Sequence, residues 1–345
     1  MKPELQFQTR RRQKTLACHE CGTVLDIFSF KPLDPFFCPT CKTEMVVPAK
    51  LGNYDLYRFL GEGAMGRVYL ARDPDLDRDV AVKILREDLN ATPKMWTMLE
   101  EEAKAAAGIA HRNVIQVYTM GKILGRPYIV MELADHASLD DQMASGPITE
   151  ALAIQVSIDV MLGLNAAYQN QLIHGDVKPA NILITAAGNA KVADFGLARF
   201  MKQGQEVERW GTPYYIAPEK SRQLSEDFRS DMYSLGATLF HALAGEAPFE
   251  GKSGEEVIDK SLKNSVPKLH KVRPDISENF SELVYKMMQK DPNDRFSSYE
   301  QALECFERLQ EGSYTLGMCH QLGKRNTQKK SGLLSRLAGL VIDDL

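Results

Sequence analysis

The segment His174-Gly175-Asp176-Val177-Lys178-Pro179-Ala180-Asn181 constrains this 345-residue chain more than any other. It sets a carboxylate, an ammonium and an amide within six positions, and the apolar pair Ile182-Leu183 follows directly. Pro179 has no N–H and disfavours helix at the residue before it, so the three groups lie on a loop rather than inside a helix. On a loop they are free to converge on one point. Phosphoryl transfer needs that convergence: a base to orient the attacking hydroxyl, a cation facing the transferring group, and an oxygen ligand for a metal. Thirteen residues after Asn181, a second acid stands at a flexible turn, Asp194-Phe195-Gly196, following Lys191-Val192-Ala193.

In order and spacing, these two segments resemble the catalytic loop and the metal-binding loop of the eukaryotic-type protein kinases. The resemblance implies an α+β, bilobal protein kinase fold with a β-rich N-terminal lobe and a helical C-terminal lobe. It implies that Asp176 orients and deprotonates a substrate hydroxyl and that Lys178 steadies the γ-phosphoryl of ATP. Asn181 and Asp194 would hold Mg2+, or Mn2+ in its place.

From Tyr54 the chain reads as strand, glycine-rich turn, strand, in Leu60-Gly61-Glu62-Gly63-Ala64-Met65-Gly66-Arg67-Val68-Tyr69-Leu70. Glycines let a backbone close over phosphates without side-chain clash. The spacing alone is weak, since dinucleotide-binding folds use it before a helix. Here β-favouring residues follow, then a turn at Asp73-Pro74-Asp75, then Val80-Ala81-Val82-Lys83-Ile84-Leu85. That is a hairpin with a third strand, not a crossover. A lysine in so apolar a strand needs a task or a partner. The kinase resemblance supplies both: Lys83 would hold the α/β-phosphates and pair with Glu102, selected over Glu100 and Glu101 by its spacing to His111-Arg112-Asn113. The strand Tyr128-Ile129-Val130-Met131-Glu132-Leu133-Ala134 would run into the hinge, with backbone groups of Glu132 and Ala134 on adenine. Leu60, Val68, Ala81 and Leu183 would sandwich the ring.

Downstream, Gly211-Thr212-Pro213-Tyr214-Tyr215-Ile216-Ala217-Pro218-Glu219 resembles the substrate-docking loop of Ser/Thr kinases, and small-molecule kinases generally lack the Ala-Pro-Glu segment. Lys178 and Thr212 point the same way, so the expected substrate is a protein bearing Ser or Thr. Residues 197–211 contain no Ser, Thr or Tyr. Kinases switched by phosphorylation of this loop usually carry Arg just before the catalytic Asp, and this chain has Gly175 there. Cation and phosphate site are missing together, as expected when an unpaired buried Arg is costly. Activity is therefore expected not to depend on phosphorylating this loop. Asp231 would anchor the catalytic-loop backbone, and Arg295 would pair with Glu219.

Four of the six cysteines form Cys18-x2-Cys21 and Cys38-x2-Cys41, sixteen residues apart. Two such knuckles complete a tetrahedral S4 site, so a structural zinc is expected, with rubredoxin-like iron and two disulfides as alternatives. A reducing cytosol disfavours the disulfides. Cys305 and Cys319 lack metal spacing and read as buried or incidental thiols.

Three segments follow: a zinc-ribbon-like part at 1–50 with a basic run at residues 10–14, a kinase domain at 54–309, and at 310–345 a basic linker with a short amphipathic helix. That helix could pack in cis, dock in a partner's groove or lie on an anionic membrane. A net charge of −4 argues against nucleic acid. No apolar run reaches eighteen residues and no signal peptide is evident, so a cytoplasmic location is expected. The reading is a bacterial, eukaryotic-like Ser/Thr kinase. Its rivals are a pseudokinase scaffold that binds nucleotide and partners without turnover, and a ribbon that recruits protein or nucleic acid with the kinase as passenger.

Overall fold

A computed structural model describes residues 14–63, 65–86, 93–123, 126–134, 137–195, 213–316 and 318. They form two compact units. The first gathers residues 14–110 and 115–134, the second residues 111–114, 137–195 and those from 213 onward.

The first unit opens with two short antiparallel hairpins. Strands β1 (Thr15–Ala17) and β2 (Val24–Asp26) pair with Leu16 opposite Leu25, and β3 (Pro35–Phe37) and β4 (Glu44–Val46) pair with Phe36 opposite Met45. Three-residue strands do not persist unaided. Here Leu16, Leu25 and Phe36 pack on a small core of Cys18, Cys38 and Met45. Side chains alternate along a strand, and in β4 the alternation has a large effect. Met45 enters the cysteine core, whereas Val46, the next residue, enters the core of the main sheet beside Leu51, Leu56, Tyr69, Val82 and Val130. Leu33 packs on the same core. Its N–H donates to Val47 O at 2.9 Å, and the Val47 N–H donates to Asp34 O at 3.2 Å.

That sheet has six antiparallel strands in the order β5-β6-β7-β8-β10-β9. They are β5 (Ala49–Leu51), β6 (Tyr54–Gly63), β7 (Gly66–Asp73), β8 (Arg78–Leu85), β9 (Val117–Ile123) and β10 (Arg126–Glu132), with helix α1 (Pro93–Ala107) between β8 and β9 in the chain. Val80, Val82 and Ile84 of β8 feed the core, so Ala81, Lys83 and Leu85 take the opposite face. At the start of β7, a Cβ on Gly66 would lie 2.1 Å from Ile84 O, so only glycine fits where these backbones meet.

The second unit is largely helical: α2 (Leu139–Met143), α3 (Glu150–Gln169), α4 (Pro218–Ser221), α5 (Phe228–Ala244), α6 (Gly254–Lys263), α7 (Leu269–Val272), α8 (Glu278–Met287) and α9 (Tyr299–Gln310). One short hairpin interrupts them, β11 (Ile182–Ile184) with β12 (Ala190–Val192). Side-chain oxygens cap the N-termini: Ser138 with Asp141 makes a capping box, and Thr149, Asp227, Ser253, Ser277 and Ser298 each accept a first-turn N–H. Helix α3 is long and apolar enough to cross a membrane, yet it is mostly buried within the fold, as in a core helix. Gly236 lets α5 approach the end of α8, since a Cβ there would come 2.8 Å from Met288 Cγ. Cys305 on α9 is fully buried, as expected, but is disulfide-bonded rather than a thiol.

Residues 10–13, Gly196, the segment 197–212 with Thr212, Cys319, the basic linker and the terminal amphipathic helix lie outside the described residues.

Because Val46 joins the hairpins to the sheet, Val46→Ala is expected to cost about 2 kcal/mol, between the usual Ile→Val and Leu→Ala losses. Val24→Ala, at a position 66% exposed, is the control and should be near neutral. Urea midpoints of the two variants check this.

Candidate active site

The loop between α3 and β11 carries the predicted acid. Its buried scaffold is His174, 1% exposed, whose two ring nitrogens are both engaged. Nδ1 accepts the Asp176 N–H at 3.1 Å, which leaves Nε2 as the protonated nitrogen, donating to Ala193 O at 2.8 Å. The His174 ring also meets Phe195 edge-on, with centroids 4.6 Å apart. One imidazole thus ties the loop bearing Asp176 to the segment that leads into Asp194.

Around Asp176 the predicted groups do converge. Lys178 Nζ lies 2.7 Å from Asp176 Oδ2, and both side chains are partly exposed. Pro179–Asn181 forms a single 3-10 turn that swings Asn181 back, so its Nδ2 donates to Asp176 Oδ2 at 3.0 Å and to Asp176 O at 2.8 Å. With Nδ2 committed, the amide oxygen is what Asn181 can offer a cation. The Ala193 N–H donates to Asn181 O at 2.9 Å, placing Asp194 one residue beyond this contact. Asp194 has φ +63°, a left-handed conformation that costs a non-glycine residue about 1–2 kcal/mol. Hard oxygen donors such as these suit Mg2+ or Mn2+.

Asp231, 2% exposed near the start of α5, is the anchor expected from sequence. Its Oδ2 accepts the His174 N–H at 2.8 Å and its Oδ1 the Gly175 N–H at 2.7 Å. Burial pushes its carboxyl above the ordinary value, against the opposing pull of His174 and these two N–H groups. The Glu219–Arg295 pair is also present and buried. Arg295 NH1 and NH2 reach the two carboxylate oxygens at 2.7 Å each, and Ser230 Oγ donates at 2.6 Å. Burial disfavours the Glu219 carboxylate, but Arg295 and Ser230 outweigh it and hold its pKa below the usual 4.5.

Sequence reasoning missed the supports under β12. The Asn113 side chain donates to Ala190 O at 2.8 Å, and buried Asp159 accepts the Ala190 N–H at 2.8 Å. Both residues are remote in sequence from the loop they hold, and no local pattern marks them. It missed Lys220 as well, which donates to Gly175 O.

The other predicted residues, Leu183 excepted, sit in the first unit. Strand register puts Gly61 opposite Val68 and Val68 opposite Lys83, and in the next row Leu70 opposite Ala81 and Ala81 opposite Met131. Directly paired residues share a face, so Gly61, Val68, Ala81 and Lys83 line one side of the sheet, opposite its core. Lys83 is 4% exposed there. A Cβ on Gly61 or Gly63 would meet nothing within 4 Å, so open space lies above the glycine turn. Leu60 is 38% exposed. The three glutamates of α1 differ: Glu100 pairs with Lys104 at 2.9 Å, Glu101 is exposed and Glu102 is half-buried. At the end of β10, the Glu132 N–H donates to Gln116 O at 2.8 Å, and Ala134 follows half-buried. Leu183 lies on β11 in the second unit, bridged to Ser138.

The four N-terminal cysteines gather with their Sγ atoms all within 4.8 Å of one another. Cys18 is 3.6 Å from Cys41, and Cys21 is 3.6 Å from Cys38, so each knuckle faces the other. The knuckles repeat one geometry. Cys18 and Cys38 N–H groups donate to Thr23 O and Thr43 O, and the returning N–H groups of Gly22 and Lys42 reach Cys18 O and Cys38 O, all at 2.9 Å. Gly22 and Lys42 occupy the same left-handed position, φ +74° and +64°. The Thr23 hydroxyl, 3.2 Å from Cys21 Sγ, pulls that thiol down to about 6, and Thr43 acts likewise on Cys41. Four thiols facing one another in two matching knuckles make a closed S4 set, which fits a structural zinc, with Cys21 and Cys41 biased toward thiolate.

The fold and this geometry define a protein kinase, and the protein kinase domain family matches residues 54–306; the chain belongs to that family. It is 39% identical over 264 residues to the Ser/Thr-protein kinase PknB of Mycobacterium leprae, covering 74% of this chain and 42% of that one. It is 32% identical over 299 residues to PrkC of Bacillus subtilis, covering 84% and 46%. The chain thus spans less than half the length of these relatives. Among solved structures, the kinase domain of Mycobacterium tuberculosis PknI superposes with a TM-score of 0.62 at 27% identity, over 75% of this chain and 96% of that one. The bilobal kinase fold expected from sequence is therefore found, and kinases of this family use ATP with Mg2+.

Glu219 ionises more readily folded than unfolded, so its contribution is fully present above its unfolded value near 4.5 and lost as pH falls through the lower folded value. Urea titrations from pH 7 to 3 should show wild type losing stability in that acid window. Glu219→Gln should be less stable at pH 7 and show a shallower acid limb.

Proposed function

We propose that this chain is a Ser/Thr protein kinase that transfers the γ-phosphoryl of ATP to protein hydroxyls. The observation that carries this reading is Asp176, held between Lys178 and Asn181 on a loop fixed by buried Asp231, in a chain of the kinase family. Asp176 accepts the proton of the incoming hydroxyl and aims its oxygen. Lys178, beside that carboxylate, faces the transferring group with a positive charge. Asn181 and Asp194 would hold Mg2+, which neutralises charge on the phosphates. Lys83, with Glu102 as its partner, would bind the α/β-phosphates together with the glycine turn of Gly61, Gly63 and Gly66. Leu60, Val68 and Ala81 would hold the adenine, with backbone groups of Glu132 and Ala134 to bind its edge.

Activity on this reading does not depend on phosphorylating the loop at 197–211, which has no hydroxyl side chain and no arginine before Asp176 to answer one. Cys18, Cys21, Cys38 and Cys41 would hold a structural zinc, closed to substrate. The metal would close both knuckles at once, with apparent binding of about 10–16 kcal/mol in comparable small sites.

Incubated with Mg-ATP and a generic basic protein, wild type should transfer γ-phosphate, and Asp194→Ala should lower the rate about 100-fold or more while melting normally. Equal transfer by both would remove Asp194 from the site. Elemental analysis should find one zinc per chain, and Cys21→Ser should lose it and melt earlier. A full complement of iron would overturn the zinc assignment.

A further inference from the structure

Gly175 occupies the position where loop-switched kinases place an arginine, and its conformation excludes one without strain. Its φ is +74°, where an L side chain is strained. A Cβ built there would stand 3.7 Å from Lys220 Nζ. An ammonium from another part of the chain therefore borders this position at ordinary contact distance. Lys220 donates to Gly175 O, its Nζ lies 3.7 Å from Glu226 Oε2, and its side chain is only 13% exposed.

Lys220 works from a fixed base. It follows Glu219 on α4, and Glu219 is clamped by the buried Arg295 and Ser230. Its target is the peptide joining Gly175 to Asp176. The oxygen of that peptide takes Lys220, and its N–H takes His174 Nδ1 at 3.1 Å. The preceding peptide N–H is held by Asp231 at 2.7 Å. Three polar atoms of these two consecutive peptide groups are thus bonded, and one of the three bonds comes from Lys220.

We propose that Lys220 is a positioning residue for Asp176: a built-in cation that holds the catalytic loop in its working geometry without an added phosphate. The proposal rests on reading Asp176 as the base. In a loop-phosphorylated kinase, the cation sits on the loop and its anion arrives by modification. Here the cation comes from the segment after the docking loop, and its acceptors, the Gly175 carbonyl and Glu226, are encoded.

The test compares the full-length chain with Lys220→Met and Lys220→Arg. Lys220→Met should lower kcat by roughly tenfold to a hundredfold, the scale on which small misplacements act, with KM for ATP changed by less than about twofold. Lys220→Arg should recover most of the loss. Amide exchange over residues 172–181 should quicken in Lys220→Met and stay protected in Lys220→Arg. That second readout needs no turnover. An inactive wild type would sink the kinase reading, while exchange would still decide the latch. Wild-type kcat with unchanged exchange in Lys220→Met would overturn the proposal, as would equal losses in the two variants. Should Lys220→Met fail to fold, Glu226→Gln, which removes the carboxylate beside the ammonium, should quicken exchange in the same window; unchanged protection there would overturn the proposal too.

Discussion

The second unit depends on one carboxylate buried where no carboxylate is comfortable. Asp231 receives two backbone N–H groups from the loop before Asp176. An isolated charge in such a place would be expensive, and those N–H groups would be orphaned without it. Each need answers the other. The loop keeps its shape because unmaking it would leave both sides unsatisfied. His174 then extends the same ordering to Ala193, and Asn181 does so through its own carbonyl, so acid, amide and the segment leading into Asp194 are set by one connected group of bonds.

Much of this was legible in the sequence because it is local. Asp176, Lys178 and Asn181 fall within six positions, and Pro179 forces the turn that folds the amide back. Asp231 and the Glu219–Arg295 pair were legible only through kinship, since nothing in Ser230-Asp231-Met232 announces a target 57 residues upstream. Asn113, Asp159 and Lys220 were not legible at all. Each acts through a hydrogen bond with a distant backbone N–H or carbonyl, and backbone groups carry no sequence signature. Lys42 shows the opposite limit: glycine marks the left-handed turn in the first cysteine knuckle, but the second makes the same turn with a lysine.

The cysteine segment reads in sequence as a separate appendage, and its two knuckles do have their own small core. The alternation of β4 changes that picture. Side chains one residue apart point to opposite faces, so a strand three residues long can belong to two cores. Met45 and Val46 do so.

That shared strand makes the cysteine cluster and the six-stranded sheet thermodynamic neighbours rather than beads on a string. Any ligand that binds only the folded knuckles draws its free energy partly from the sheet's own order, and the sheet is steadied in return. Heat absorption on melting this unit should then gather into one cooperative step. Deleting the first fifty residues to study the remainder alone would take away one wall of the kinase along with the ribbon.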